Sequence, residues 1–384
     1  MAGNDMTVSI GLLRLTDAAP VIIAFEKGMF AEHGLDVRLS IEPSWANIAD
    51  KLTYGRLSAA VMLPPLAFAV SMGLRGAGTK LIVPMALSLG GNAVTGSTAL
   101  VEALAPTPNM NALEVGRRLR DYQVGRSQPL RFAVVHSFST HNLLLRYWLA
   151  ASGLAQDTDV QISVVPPAET VDALASGRID GFCAGAPWGA VAARAGVGQV
   201  LLTTSDIWAH HPEKCLAVSE DWATANPQAL DAMIGALLDA ARFCDLPANA
   251  DEIAAILGQD RYLAADPAAI REALPAAGDP GRLPTGQATF FAGAANFPWR
   301  SHAAWFLREM ARWKLLPPGV DAQSAAAIYR PDLFRAAAER AGISAPLADG
   351  KVEGVHDTPW TIEGRPSSIG MAADRFCDGR VFET

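Results

Sequence analysis

VSIGLLRLTDAAPVIIAFEKGMFAEHGLDVRLSIEPSWANIADKLTYGRLSAAVM, residues 8 to 62, decides the fold class. An apolar run from Val8 to Leu13 gives way to a helical pattern from about Ala19 to His33, with Thr16 and Asp17 ahead of it as cap formers and Gly34 behind it. Val37 to Ile41 then reads as a strand, Ser44 opens a second helix that Gly55 closes, and Leu57 to Met62 reads as the next strand. Strand and capped helix thus alternate, which predicts a mostly parallel sheet covered by helices. Such sheets bind ligands at the carboxyl ends of their strands.

The rhythm continues outward. Leu81 to Ala86 is a further strand, and the glycine-rich polar stretch through Gly90, Gly91 and Gly96 to Ser97 and Thr98 marks a crossing to another lobe. A second series follows: strand Arg131 to Val135, a helix entered at Ser139 and Thr140, strand Gln161 to Val165, a helix ending at Gly177, and strands Ile179 to Cys183 and Gln199 to Leu202. From about Thr204 the pattern shifts to alanine-rich helices, Pro227 to Phe243 and His302 to Trp313, with loops after Leu347. A chain of 384 residues suits two lobes better than one core. The expected division is lobe 1 from residues 1–97 and 204–384, the latter with extra C-terminal helices and tail, and lobe 2 from residues 98–203.

Half of the residues are hydrophobic, enough for full cores in both lobes. The net charge of −8 gives no long-range attraction for a polyanion, so a nucleic-acid surface is not expected and any bound anion must be held locally. Cys183, Cys215, Cys244 and Cys377 are far apart with no CxxC pair, which disfavours a zinc site and a disulfide framework and fits buried thiols in a reducing compartment. Met1 to Ile10 reads as neither the charged nor the apolar part of a secretory signal, and Leu57 to Val70 is too short, and too broken by Pro64 and Pro65, to span a bilayer. The expectation is a cytoplasmic protein without membrane contact.

Signatures of common catalysts are missing: no GxSxG, HExxH, GxxxxGK[ST] or strand-following GxGxxG is found, and GLRGAG at 73 to 78 has the wrong spacing. His210 and His211 are adjacent and therefore point apart, as a loop pair would, while carboxylates show no evident pairing. No enzyme activity, metal or cofactor is expected. Polar and small residues do gather at the predicted strand ends. Trp45 follows Ser44 at a helix start, Asn92 lies in the glycine-rich crossing, His141 is at another helix start, Gly185 is just past a strand, and Lys214 is in a His-Pro-Glu-Lys loop. Each also has an ordinary role: core indole, turn former, helix cap, tight turn and solvated charge.

Together these segments resemble the NrtA/CmpA/NasS family of nitrate- and bicarbonate-binding proteins, through LTDAAPVIIAFEKGMFAEHGLDV (15 to 37), SWANIADKLTYG (44 to 55), VPMALSLGGNAVT (83 to 95), THNLLLRYWLA (140 to 150), GRIDGFCAGAPW (177 to 188), HPEKCLAVSEDW (211 to 222) and DGRVF (378 to 382). The resemblance implies a type II periplasmic-binding-protein-like fold closing on a solute, with Trp45, Asn92, His141, Gly185 and Lys214 as the nitrate or nitrite contacts. Asn92 stands where a Gln is familiar in the transporters, and Ala186 where an acidic residue often precedes Pro-Trp.

Nitrate is a flat monoanion with acceptor oxygens and no proton, so its site should offer donors and positive charge, whereas bicarbonate would also need an acceptor. A charge-assisted hydrogen bond contributes about 1.5 to 3 kcal/mol and micromolar binding needs about 8 kcal/mol, so Lys214 must act with other donors. The resemblance is nearest to the cytoplasmic sensor NasS, which implies as partner an ANTAR-type antiterminator like NasT, released when the anion binds. The alternatives are the substrate-binding component of an ABC importer for nitrate or a related oxyanion, aliphatic sulfonate binding, and an enzyme like the thiamine-precursor synthases. The last carry a cysteine-rich run where this chain reads GFCAGAPW around Cys183.

Overall fold

The computed structural model describes residues 7–107, 109–276, 287–321 and 325–383. Ten strands build two five-stranded sheets: β1 (Val8–Leu12), β2 (Val37–Ile41), β3 (Ala59–Met62), β4 (Leu81–Ala86), β5 (Asn92–Ser97), β6 (Leu130–Val134), β7 (Val160–Val164), β8 (Gly181–Gly185), β9 (Gly198–Thr203) and β10 (Cys215–Ser219). The first sheet has the order β2-β1-β3-β10-β4, the second β9-β5-β8-β6-β7. In the first, β10 alone runs against its neighbours, and in the second β5 alone does so. The chain is an α/β protein with two sheets flanked by helices, of the periplasmic-binding-protein type. Each sheet is four parallel strands with one reversed strand supplied by the connection between lobes.

That exchange corrects one expected boundary. Asn92–Ser97 belongs to the second sheet, where it pairs with both Gly181–Gly185 and Gly198–Thr203, so the outward crossing is at residues 87–91 and not after Ser97. The backbone of Ala93 to Gly96 is held on both edges by ladder pairing, which an inter-lobe connection would leave unsatisfied. Gly90 and Gly91, at φ +66° and +83°, make the turn into it.

Burial follows from the layering. Every residue of β3 and β4 is buried, as expected for strands covered on both faces. On one side Ile10 and Leu12 of β1 pack with Val21 and Ile22 of α1 (Ala19–Glu26) and with Met233 and Leu237 of a long helix, Pro227–Cys244. On the other, Met62 and Val83 belong to an apolar cluster that runs on through Val94, Phe132 and Trp148 of the second lobe. This cluster is continuous across the two sheets.

The helix expected over Ala19 to His33 is broken. It ends at Glu26, Gly28 takes a left-handed φ of +73°, and a separate turn covers Met29–Glu32. Thr16 and Asp17 do not cap it. They form a short 3-10 turn with no side-chain capping bond. Ser44 and Ser139 do cap their helices, α2 (Trp45–Thr53) and α3 (Thr140–Ala151), accepting from the N–H of Asn47 and Asn142.

The C-terminal tail ties the lobes together at their junction. Phe376 stacks on Trp208 with ring centroids 4.6 Å apart, Cys377 donates its N–H to Ile207 O at 2.8 Å, and Tyr147 of α3 donates to Asp378 Oδ1 at 2.8 Å. No helix among the described residues is long and apolar enough to cross a membrane. The cysteines are all free, three buried and Cys377 partly so.

Candidate functional site

The topology brings a defined set of chain ends to the cleft. The parallel strands β1, β3 and β4 end there in one lobe and β8 in the other, while the reversed strands β5 and β10 begin there: Cys215 opposite Met62 and Ala86, Asn92 opposite Gly185. The helices α2 and α3 start at the same level. Their Ser caps engage the third N–H, so the N–H groups of the first two residues, Trp45 and Ala46 in α2 and Thr140 and His141 in α3, have no acceptor within the helix and present the positive end of its dipole.

At the centre is Lys214, the residue before β10 and 1% exposed. Its Nζ lies 2.7 Å from Asp17 Oδ2, forms a short ion pair with Glu213 Oε1, and sits 5.5 Å from the centroid of the Trp45 ring. Glu213 accepts from Asn92 Nδ2 at 2.6 Å through its other oxygen, and its Oε1 is 3.6 Å from His141 Nε2, within ion-pair reach but too long for a hydrogen bond. A side chain on Gly185 would place Cβ 3.2 Å from Asp17 Oδ2, 3.3 Å from Asn92 Oδ1 and 3.3 Å from Leu15 Cδ2, so the absence of a side chain there lets the two lobes meet. Thr16 N–H donates across the cleft to Ala186 O at 2.9 Å.

The five residues expected from sequence, Trp45, Asn92, His141, Gly185 and Lys214, are therefore gathered in one place. The expectation of a site dominated by positive charge is corrected. Two carboxylates, Asp17 and Glu213, close on Lys214, although the sequence shows no evident carboxylate pair, because they arrive from a turn near the amino terminus and from the return crossing. Glu213 was readable as the neighbour of Lys214 in HPEK; Asp17 stood in the LTDAAP segment but looked like a helix cap. The reading of His211 as one of a loop pair is also corrected. This histidine is fully buried, with Nε2 2.7 Å from Thr204 Oγ1 and Nδ1 3.0 Å from Pro212 O, and Thr204 Oγ1 is in turn 3.1 Å from Asn92 O. His210 points the other way, to Ala373 O.

The electrostatics follow from burial and pairing. Desolvation works against the charged forms of all these groups. For Lys214 the neighbouring Asp17 and Glu213 reverse that effect, and its ammonium is held above its ordinary range. Burial would raise Glu213, but Lys214 with His141 and His211 overcomes it and brings the carboxyl to about 2. For Asp17 burial wins over Lys214, and its carboxyl is raised. His141 is pushed down to about 3, chiefly by burial.

Several buried polar atoms here have no protein partner: Trp45 Nε1, Thr16 Oγ1, Asp17 Oδ1, Asn92 Oδ1, Thr140 Oγ1 and both ring nitrogens of His141. A buried polar atom without a partner costs roughly 1 to 3 kcal/mol, so this concentration of them calls for hydrogen-bonding partners from outside the protein. Among the described residues no group of three or more His, Cys, Asp or Glu side chains is arranged to hold a metal ion. Surface hollows elsewhere, such as the one of about 370 Å³ lined by Leu238, Arg242, Phe291, Asn296 and Phe334, share no residue with this cluster.

Residues 1–258 match the NMT1-like family. The nitrate/nitrite binding protein NrtA of Synechococcus elongatus is 33% identical over 387 residues, covering 98% of this chain and 83% of NrtA. The nitrate import ATP-binding protein NrtC of Synechocystis is 34% identical over 353 residues, covering 89% of this chain and 52% of NrtC. The chain thus spans about half the length of such ATP-binding relatives. The crystal structure of the periplasmic nitrate-binding protein NrtA from Synechocystis superposes with a TM-score of 0.84 at 27% identity, over 98% of this chain and 95% of that one.

Proposed function

This chain belongs to the NMT1-like family, and from that premise we propose that it binds nitrate or nitrite between its lobes at Trp45, Asn92, His141, Gly185 and Lys214, without catalysing a reaction. The observation that carries this reading is the convergence of the Lys214 ammonium, the Trp45 indole N–H, His141 and the starts of two capped helices on one buried set of polar atoms without protein partners. A planar oxyanion can accept from several such donors at once. The nitrate/nitrite-binding NrtA relatives support the choice of anion. Titration calorimetry with nitrate, nitrite, bicarbonate and an alkanesulfonate tests it: saturable binding of nitrate or nitrite is expected, and a preference for the sulfonate would overturn the assignment.

In the cell, the finer reading is a cytoplasmic sensor that holds an ANTAR-type, NasT-like antiterminator and releases it when the anion closes the lobes. The acidic balance of the chain, with a net charge of −8, fits this reading, and the HPEK and SWANI segments support nitrate over a sulfonate as the ligand. A ligand can switch such a complex only through different affinities for the open and closed lobes. Size-exclusion chromatography with an ANTAR-domain regulator should give a complex that nitrate dissolves; a complex indifferent to nitrate would remove this role. The competing reading, the binding component of an oxyanion importer, is favoured by the import relatives named above and calls for association with a permease.

A further inference from the structure

Among the described groups of the cluster, Lys214 is the permanent cation, faced by two carboxylates in a setting closed to water. His141 and His211 are both held below their ordinary range by burial and stay neutral, and the nearby thiols of Cys183 and Cys215 are pushed up by burial and stay protonated. Two carboxylates meet one ammonium here, so an entering anion finds the single positive charge already matched by Glu213, with Asp17 as a second acid group on the same Nζ. Like charges at contact distance in a dry site repel strongly.

Resting on the anion-binding reading above, we propose that the anion enters this site together with one proton, taken from solvent by the Asp17 carboxylate on Oδ1. Asp17 then donates that proton in a hydrogen bond to the anion, while Glu213 remains ionised against Lys214. The two carboxylates are not equivalent. Glu213 is tied on one oxygen to Lys214 and on the other to Asn92 Nδ2, with His141 beside it. Asp17 meets Lys214 through Oδ2 only, and its Oδ1 is buried with no partner. Protonating Glu213 would forfeit charge-assisted bonds on both oxygens; protonating Asp17 leaves its Lys214 contact in place and converts an unpartnered acceptor into a donor aimed at an acceptor-only ligand. The pH behaviour of the two groups agrees: burial raises Asp17, and Lys214 holds Glu213 down.

Proton uptake makes affinity rise as pH falls. Between the Asp17 values of the free and the occupied site, Kd should weaken about tenfold for each pH unit of increase. Calorimetric titration of the full chain with sodium nitrate, in buffers of different ionisation enthalpy at about pH 7, counts the protons directly. About one proton taken up per nitrate is expected, and Asp17→Asn should reduce the count to near zero with a Kd flat in pH. Nitrate binding by the native chain with no proton uptake would overturn the proposal and leave the anion reading intact. Uptake persisting in Asp17→Asn would overturn it too, moving the proton to a histidine. No isotherm with nitrate or nitrite at any pH would overturn the anion reading itself, and this proposal with it.

Discussion

Gly185→Ala is a wedge between the lobes. The added methyl carbon would sit 3.2 Å from Asp17 Oδ2 and 3.3 Å from Leu15 Cδ2, both on the first lobe, and 3.3 Å from Asn92 Oδ1 on its own lobe. These separations are a few tenths of an ångström inside ordinary contact, and Asp17 cannot retreat freely because that same oxygen is held 2.7 Å from Lys214 Nζ. Overpacking of this kind costs about 1 to 3 kcal/mol. The mild overlap places it near the lower half, about 1 to 2 kcal/mol, and because it arises only when the lobes meet it should fall on anion binding. That corresponds to a Kd weakened about 5- to 30-fold. Each lobe keeps its own core, so Tm should fall by only a few degrees. Calorimetric titration with nitrate, beside a melting curve, measures both. A Kd equal to that of the native chain would refute the account of Gly185 as the point of lobe contact.

Removing Lys214 should do more than abolish binding. Lys214→Ala leaves Asp17 and Glu213 buried without their cation, a loss of about 3 to 5 kcal/mol near neutral pH that should shrink as acid protonates them; urea unfolding at several pH values reads it. Acid should also unfold the native protein in a defined window. Glu213 and Glu353, the latter buried against Lys351 and His302, are held at about 2 in the folded chain against an ordinary 4.5. Their stabilisation is complete above the unfolded value and disappears as pH falls towards about 2, so Tm should drop most steeply there; a Tm level through that range would count against the pairing. The raised Asp17 acts in the opposite sense and softens the loss. Thiol labelling of the native chain should reach Cys377 first, since desolvation pushes up all four thiols but only Cys377 is partly exposed. Labelling all four at equal rates would contradict that burial.

Much of the fold was legible because its signals are local. The Ser44 and Ser139 caps, the apolar runs of β2 and β4, and the alternation from Val8 to Met62 depend on neighbours a few residues away. The misreadings were of two kinds. Gly28 split a helix whose apolar pattern continued past it, and Ser97 looked like a boundary although the strand before it was already paired in the second sheet. Strand pairing is long-range, and residue types alone do not state it.

The candidate site divides in the same way. Trp45 and His141 could be picked out as helix starts, and Lys214 as the cation of HPEK, by sequence position and family resemblance. Asp17 could not be recognised, because its neighbours made it a cap and its partner lies on the far side of both lobes' chain. Local patterning was enough for the alternating elements, the capped helix starts and the supply of donors. It took the folded chain to show that two carboxylates share Lys214, that Gly185 is the contact between lobes and that Asp17 has an oxygen to spare. The reason is that charge balance in a buried cluster depends on distances between segments about 200 residues apart along the chain, which only tertiary folding brings together.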